Sequence, residues 1–362
     1  MKILQVISSL HTGGAEKLMV DMLPRMKAKG NQVELCVFDG TKTAFYAELL
    51  KQGIVIHDLS SLGGVYSPLC LIKLMRLMQS GWDIVHTHTT APQIFAAVSS
   101  LFCKAHLVTT EHNTTNKRRS LFWYKPIDKW MFSRYEKHVM ISDQCELNHI
   151  EYIGGKNASN IVKIYNGIDY SKFSNAMPAT DVRRLGTRII MFVAAFRPQK
   201  DQPTLIKAME YLPDYFHLCL AGGGNDERKS LFEKMISERG LGDRVHLLGI
   251  RNDIPEILAA SDYVVMSSHF EGLSLSSLEG MASGRPFLAS DVDGLHEIVE
   301  GNGILFGHKD AKSFADAIMR LEGNENYRKI VIENCQRKAS KYDINIMTRQ
   351  YLDLYQNVLL KK

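Results

Sequence analysis

Glu271 and Glu279 stand eight positions apart in Phe270-Glu271-Gly272-Leu273-Ser274-Leu275-Ser276-Ser277-Leu278-Glu279-Gly280. The loop between them runs into a helical pattern at Leu275, Leu278 and Met281. Ser274 is a natural N-cap for that helix. Just upstream, Tyr263-Val264-Val265-Met266 reads as a buried parallel strand, and open α/β sheets bind ligands beyond the carboxyl ends of their strands. Glu271 then belongs in a crevice, with Glu279 two turns into the helix behind it. Between them the amides of Gly272, Leu273 and Ser274 form an anion cradle at the helix start. Two hydroxyl acceptors flanking one anion site match a ligand with hydroxyls at both ends and a diphosphate between, which is a nucleotide sugar. A plainer account competes, because glutamates near a helix start also serve simply as partners of the helix dipole.

Other strand ends weigh against the plainer account. The strand Arg188 to Val193 runs into Ala194-Ala195-Phe196-Arg197-Pro198-Gln199-Lys200-Asp201. Arg197 as a fork and Lys200 as a point charge suit a diphosphate leaving group, although loop cations are ordinarily just solvated surface. The next strand ends in Ala221-Gly222-Gly223-Gly224, a turn of close backbone approach, and a third in Leu248-Gly249-Ile250-Arg251. Near the start of the chain, Gly13-Gly14 precedes a helix and lets backbone approach a phosphate. That pair is neither the Gly-x-Gly-x-x-Gly of a dinucleotide site nor a P-loop, and alone it reads equally as a turn.

His86 and His88 are two apart near a strand end and project to one face. With no third ligand nearby, they are expected as hydrogen-bonded or packed polar residues rather than a metal pair. His112, ending the next strand, is better placed to meet a substrate. Asp291-Val292-Asp293 has the form of a manganese-binding Asp-x-Asp but follows a strand of a doubly wound half, so no metal is expected there. Lys117, Arg118 and Arg119, followed by Phe122-Trp123-Tyr124, Lys125, Lys129 and Trp130, suit either an anionic membrane interface or a core helix with a basic face. Nucleic acid is not expected, because no recognition helix or stacking sheet accompanies the patch.

The elements that hold these residues alternate strand and helix. Apolar runs at Ile3 to Ile7, Gln32 to Phe38, Val55 to His57, Asp83 to Thr87, Leu107 to Thr110 and Val139 to Ile141 make one series. Arg188 to Val193, His217 to Leu220, Val245 to Leu248, Tyr263 to Met266 and Pro286 to Ala289 make another. Two such series in 362 residues predict an α/β protein of two doubly wound parallel-sheet, Rossmann-like domains. They are expected over 1–170 and 171–345, with a last helix over 346–362. Scattered cysteines without a Cys-x-x-Cys pair, no cleavage site after the first apolar run and no membrane-length apolar segment suit a cytoplasmic protein. Residues 1–170 hold 19 Lys and Arg against 14 Asp and Glu, whereas the remainder is balanced at 25 to 25. The first half therefore suits an anionic surface or acceptor.

Over essentially its whole length the chain resembles the retaining glycosyltransferases of family four, with their GT-B fold of two facing Rossmann-like domains. The resemblance rests on Gly13-Gly14-Ala15-Glu16, Asp83 to His88, Asn166-Gly167-Ile168-Asp169 with Phe173, Arg197 to Asp201, and Glu271 to Glu279 followed by Met281-Ala282-Ser283-Gly284-Arg285-Pro286. It implies that Glu271 holds the donor sugar, Glu279 the ribose and Lys200 the diphosphate, while Gly272, Leu273 and Ser274 offer amides. It further implies that Gly13-Gly14 closes on the donor from the other domain, that His112 approaches the sugar, and that Arg251 lies where backbone meets the base. The last helix is expected to cross back to the first domain. No cofactor or metal is implied beyond the nucleotide-sugar co-substrate, UDP- or GDP-linked. The implied acceptor is a hydroxyl, with a lipid-linked saccharide at the inner face of the membrane suggested by the basic half. One departure stands out: the family's phosphate-binding arginine is replaced by Ala195, with Arg197 two residues on. A sugar-nucleotide epimerase of the same fold, a nicotinamide oxidoreductase and a non-catalytic membrane module are the rival readings.

Overall fold

The computed structural model describes residues 1–11, 13–112, 122–154, 158–271 and 274–360. It divides into two compact units, Met1–Gly167 with Ile344–Lys362, and Ile168–Asp343. The C-terminal helix Ile344–Leu360 thus belongs to the first unit.

Within the first unit, among the described residues, seven strands form one parallel sheet: β1 (Lys2–Ile7), β2 (Gln32–Val37), β3 (Val55–Asp58), β4 (Ile84–Thr87), β5 (His106–Glu111), β6 (Lys137–Met140) and β7 (Ile161–Lys163). Their order is β3-β2-β1-β4-β5-β6-β7. The direction of winding therefore reverses between β1 and β4, and at such a switch point the connecting segments part and leave a crevice. Continuous apolar runs such as Ile3-Leu4 and Val6-Ile7 suit strands covered on both faces. The helix Gly14–Ala28 buries Leu18, Met19, Met22, Leu23 and Met26 and runs through Pro24. It packs beside the C-terminal helix.

The second unit repeats the plan with β8 (Arg188–Val193), β9 (Phe216–Ala221), β10 (Val245–Gly249), β11 (Tyr263–Met266), β12 (Phe287–Ser290) and β13 (Ile304–Phe306). All are parallel, in the order β10-β9-β8-β11-β12-β13, so its switch point lies between β8 and β11. The helix Leu275–Ala282 packs on this sheet at very close range. A Cβ at Gly280 would come within 2.8 Å of the Phe287 ring and 2.9 Å of Val264. Among the described helices none is long and apolar enough to cross a membrane.

Candidate active site

At the switch point of the second unit, the segments leaving β8 and β11 are stitched together by backbone. Asp201 N donates to Ser267 O at 3.0 Å and His269 N to Gln199 O at 2.9 Å, while Lys200 and Ser268 form an antiparallel bridge. Gln199 Nε2 adds a bond to Phe270 O at 2.8 Å. This stitching brings the Lys200 ammonium onto the Glu271 carboxylate, a contact of hydrogen-bonded ion-pair type. Ser268 Oγ donates to the same Glu271 oxygen at 2.7 Å. The two side chains keep only 14% and 9% of their surface, so the pair is poorly screened and its geometry is held firmly. Behind it, Ser274 Oγ accepts from Ser277 N at 3.4 Å and caps the helix Leu275–Ala282. Glu279 is half-buried on that helix. Gly272 and Leu273, expected as amide donors, lie outside the described residues.

The sheet order separates the two cations of the β8 loop. Lys200 points to the β11 side, whereas Arg197 lies on the β9 side. There it lines a cavity of about 980 Å³ with Phe196, Gly223, Gly224, Arg228 and Leu231. Lys234, at the cavity rim, is paired with Glu238 at 3.7 Å. Gly222 packs closely on the neighbouring strand end: its φ is +156° and a Cβ would sit 1.9 Å from Ala194 O. Arg251 is bound to Asp253 and Asp181, with contacts of 2.5 and 2.6 Å. These carboxylates, Asp253 foremost, push its guanidinium pKa further up. Its charge is committed to these two carboxylates within the protein.

In the first unit, Gly13 caps the helix Gly14–Ala28 without a side-chain bond. Glu16 folds back over it, so that a Cβ on Gly13 would lie 2.3 Å from Glu16 Oε2. Burial raises the Glu16 carboxyl pKa. His112 follows β5, and strand alternation puts it on one face with Gln5, His86, His88 and Thr110. Its Nε2 lies 3.0 Å from His88 Nδ1, and His88 Nε2 lies 2.6 Å from Gln5 Oε1. His86 Nδ1 meets the Tyr355 hydroxyl at 2.5 Å and its Nε2 meets Thr110 Oγ1 at 2.8 Å. Burial lowers the pKa of His112 to about 4 and those of His86 and His88 well below the ordinary value. All three rings are neutral at pH 7. His86 and His88 are both hydrogen-bonded through each ring nitrogen. Gln5, Thr110, Tyr351 and Tyr355 were not anticipated as their partners. The traces they leave in the sequence are one glutamine inside an apolar strand and two tyrosines a helical turn apart.

Two further motifs resolve locally. Asp291 pairs with His296 at 2.6 Å, and Asp293 O accepts from Glu271 N at 3.3 Å. In the helix Lys125–Ser133, Asp128, Met131 and Phe132 are buried while Ile127 and Trp130 stay 43% and 42% exposed, beside Trp123 at 54%. Lys117, Arg118 and Arg119 lie outside the described residues.

Comparison with known proteins follows the same division. The family described as "Glycosyltransferase Family 4" matches residues 12–172, and "Glycosyl transferases group 1" matches 176–338. The chain is 29% identical to the UDP-Gal:alpha-D-GlcNAc-diphosphoundecaprenol alpha-1,3-galactosyltransferase of Escherichia coli, over 90% of this chain and 86% of that one. It is 22% identical to the phosphatidyl-myo-inositol mannosyltransferase of Mycobacterium leprae, over 96% and 93% respectively. Its fold is that of Anabaena HepE, solved with UDP, at a TM-score of 0.84 and 22% identity over 99% of this chain and all of that one.

Proposed function

Because the chain belongs to the family 4-type glycosyltransferases, we propose that it moves a hexose from a UDP- or GDP-linked donor to a hydroxyl of a lipid-linked saccharide, with retention, in assembly of a bacterial surface polysaccharide or glycolipid. The observation that carries this reading is the Lys200–Glu271 pair, set at a switch point beside the capped start of the helix Leu275–Ala282. Glu271 orients the sugar hydroxyls and Glu279 the ribose. Lys200 faces the diphosphate, with the amides of Gly272, Leu273 and Ser274 adding to the positive end of the helix. Arg197 reaches the donor from its own cavity, beside Gly222 and the backbone of Arg251. In the first unit Gly13, Gly14 and His112 are assigned to the donor.

The bond from the anomeric carbon to the diphosphate oxygen breaks, and a bond to the acceptor oxygen forms on the same face. The acceptor's proton passes to the departing phosphate. Protein groups here act by electrostatics: Lys200 and the helix amides are strongest toward charge that grows as the diphosphate leaves. The reading assigns that charge to Lys200 and to no metal. The name of the Escherichia coli relative, with a UDP-linked donor and a lipid-diphosphate acceptor, supports this choice of substrates over an epimerase.

The test is a thermal-shift screen against UDP-glucose, UDP-galactose and GDP-mannose, followed by turnover with and without a lipid-diphosphate saccharide. One donor is expected to raise the melting temperature by mass action and to release nucleotide only when acceptor is present. Free nucleotide and an isomerised sugar from donor alone would establish the epimerase instead. For the acceptor side, the exposed Trp123, Ile127 and Trp130 beside Lys125 and Lys129 suit peripheral binding at the inner face of an anionic membrane. Sedimentation with vesicles is expected to increase with anionic lipid content, and indifference to it sinks the membrane contact.

A further inference from the structure

We infer that Tyr355, Gln5 and His88 form a hydrogen-bonded chain of one polarity that keeps the proton of His112 on Nε2 and presents its Nδ1 as an acceptor for a sugar hydroxyl. That the ligand is a sugar rests on the proposed transfer reaction; the position of the proton does not.

Gln5 is the pivot because its amide has one donating and one accepting end. Nε2 donates to the Tyr355 oxygen at 3.0 Å, and Oε1 receives the His88 Nε2 proton at 2.6 Å. Each direction then propagates. The phenol oxygen, already accepting from Gln5, turns its own proton to His86 Nδ1 at 2.5 Å. His86 must then carry its proton on Nε2, where Thr110 Oγ1 accepts it at 2.8 Å. In the other direction, a neutral His88 that donates from Nε2 has a bare Nδ1. Only a proton on His112 Nε2 makes the 3.0 Å contact between them a hydrogen bond. His112 is left with its lone pair on Nδ1. That atom is buried and has no hydrogen-bond partner.

An imidazolium has two donors and no acceptor, so a charge on His88 would break its bond to His112 or force His112 to reverse. Burial opposes that charge, which is consistent with the lowered His88 and His112 pKa values. A bare ring nitrogen accepts from an O–H and refuses a second acceptor. His112 on this account selects a hydroxyl donor. Tyr355, Gln5 and His88 are positioning residues that act through it.

The experiment is a two-bond ¹H–¹⁵N spectrum of the full chain labelled at histidine, at pH 7.5, with His112 assigned by its loss in His112→Gln. His86, His88 and His112 are all expected as Nε2–H tautomers. Tyr355→Phe and Gln5→Met are each expected to turn His112 into a mixture of both tautomers. Tyr351→Phe, which removes an equally buried hydroxyl from the same helix, is expected to leave it pure. A wild-type proton on Nδ1 overturns the proposal. So does a pure Nε2–H form in both variants, or an equal effect of Tyr351→Phe, which would mean mere loosening of the helix. UDP-glucose, UDP-galactose and GDP-mannose are then added in turn. The one that raises the melting temperature is expected to shift His112 Nδ1 and not Nε2. Stabilisation without that shift overturns the hydroxyl contact. Stabilisation by none of the three counts against the transfer reading alone, since the polarity is read without any ligand.

Discussion

The two units share a doubly wound plan, yet their central strands are filled differently. In the first, Gln5, His86, His88 and Thr110 put polar groups into the middle of the sheet, all but out of solvent. In the second, Ile190, Phe192, Leu218, Leu220 and Val265 occupy comparable strands. Its buried polar residues Asp201, Ser267, Ser268 and Ser290 gather instead at the carboxyl ends. The more apolar sheet leaves protons less to act on, namely the half-buried His217 in β9 and His246 in β10, whose pKa values burial lowers, and it keeps its charge at the mouth. A polar sheet sets directions, because each donor must find an acceptor. It also ties stability to protonation.

The sharpest way to break this contrast is at the mouth of the second unit. Lys200→Ala and Glu271→Ala are each expected to lower donor turnover by roughly 100- to 1000-fold. Each also strands a nearly buried charge, so the double variant should melt closer to wild type than either single one. Near-normal turnover in either single variant would remove the pair from the site.

The next largest effect belongs to acid. Folded His86, His88, His112 and His138 have pKa values below the unfolded value of about 6.5. The unfolded chain therefore takes up protons first as pH falls. Stability is full above about pH 7 and declines from 6.5 towards 4, by on the order of 3 kcal/mol for fully buried His138 alone. All three tryptophans, Trp82, Trp123 and Trp130, lie in the first unit. An acid transition seen by tryptophan fluorescence should precede that seen by far-ultraviolet circular dichroism. Coincident transitions would mean that the polar sheet is no weaker than the apolar one.

The smallest effect is at the helix cap. Ser274→Ala is expected to cost about 1 kcal/mol, a fall of roughly 2–4 °C in melting temperature. It should leave the histidine spectra of the first unit unchanged.

How much of this was legible depended on distance along the chain. Central strands such as Ile3 to Ile7 and Tyr263 to Met266 announced themselves as apolar runs. β7 and β13 did not, being three residues each, half-buried and at sheet edges. Glu271 and Lys200 were readable as strand-end residues. That they touch was not, because sequence does not say that β8 lies beside β11 rather than only beside β9. The same missing order hid the separation of Arg197 from Lys200. Gln5 and Tyr355 are 350 positions apart, and no local pattern links a strand glutamine to a helix tyrosine across that interval.

That interval also bears on biosynthesis. The first unit is discontinuous, and its final 17-residue helix, Ile344–Leu360, is made only after the whole of the second. Until it emerges from the ribosome, Gln5 and His86 have no Tyr355 to bond. Strands made before the second unit must therefore wait, incompletely folded, for a helix made after it. A nascent chain stalled before Ile344 should bear its defect in the N-terminal sheet rather than at the point of arrest.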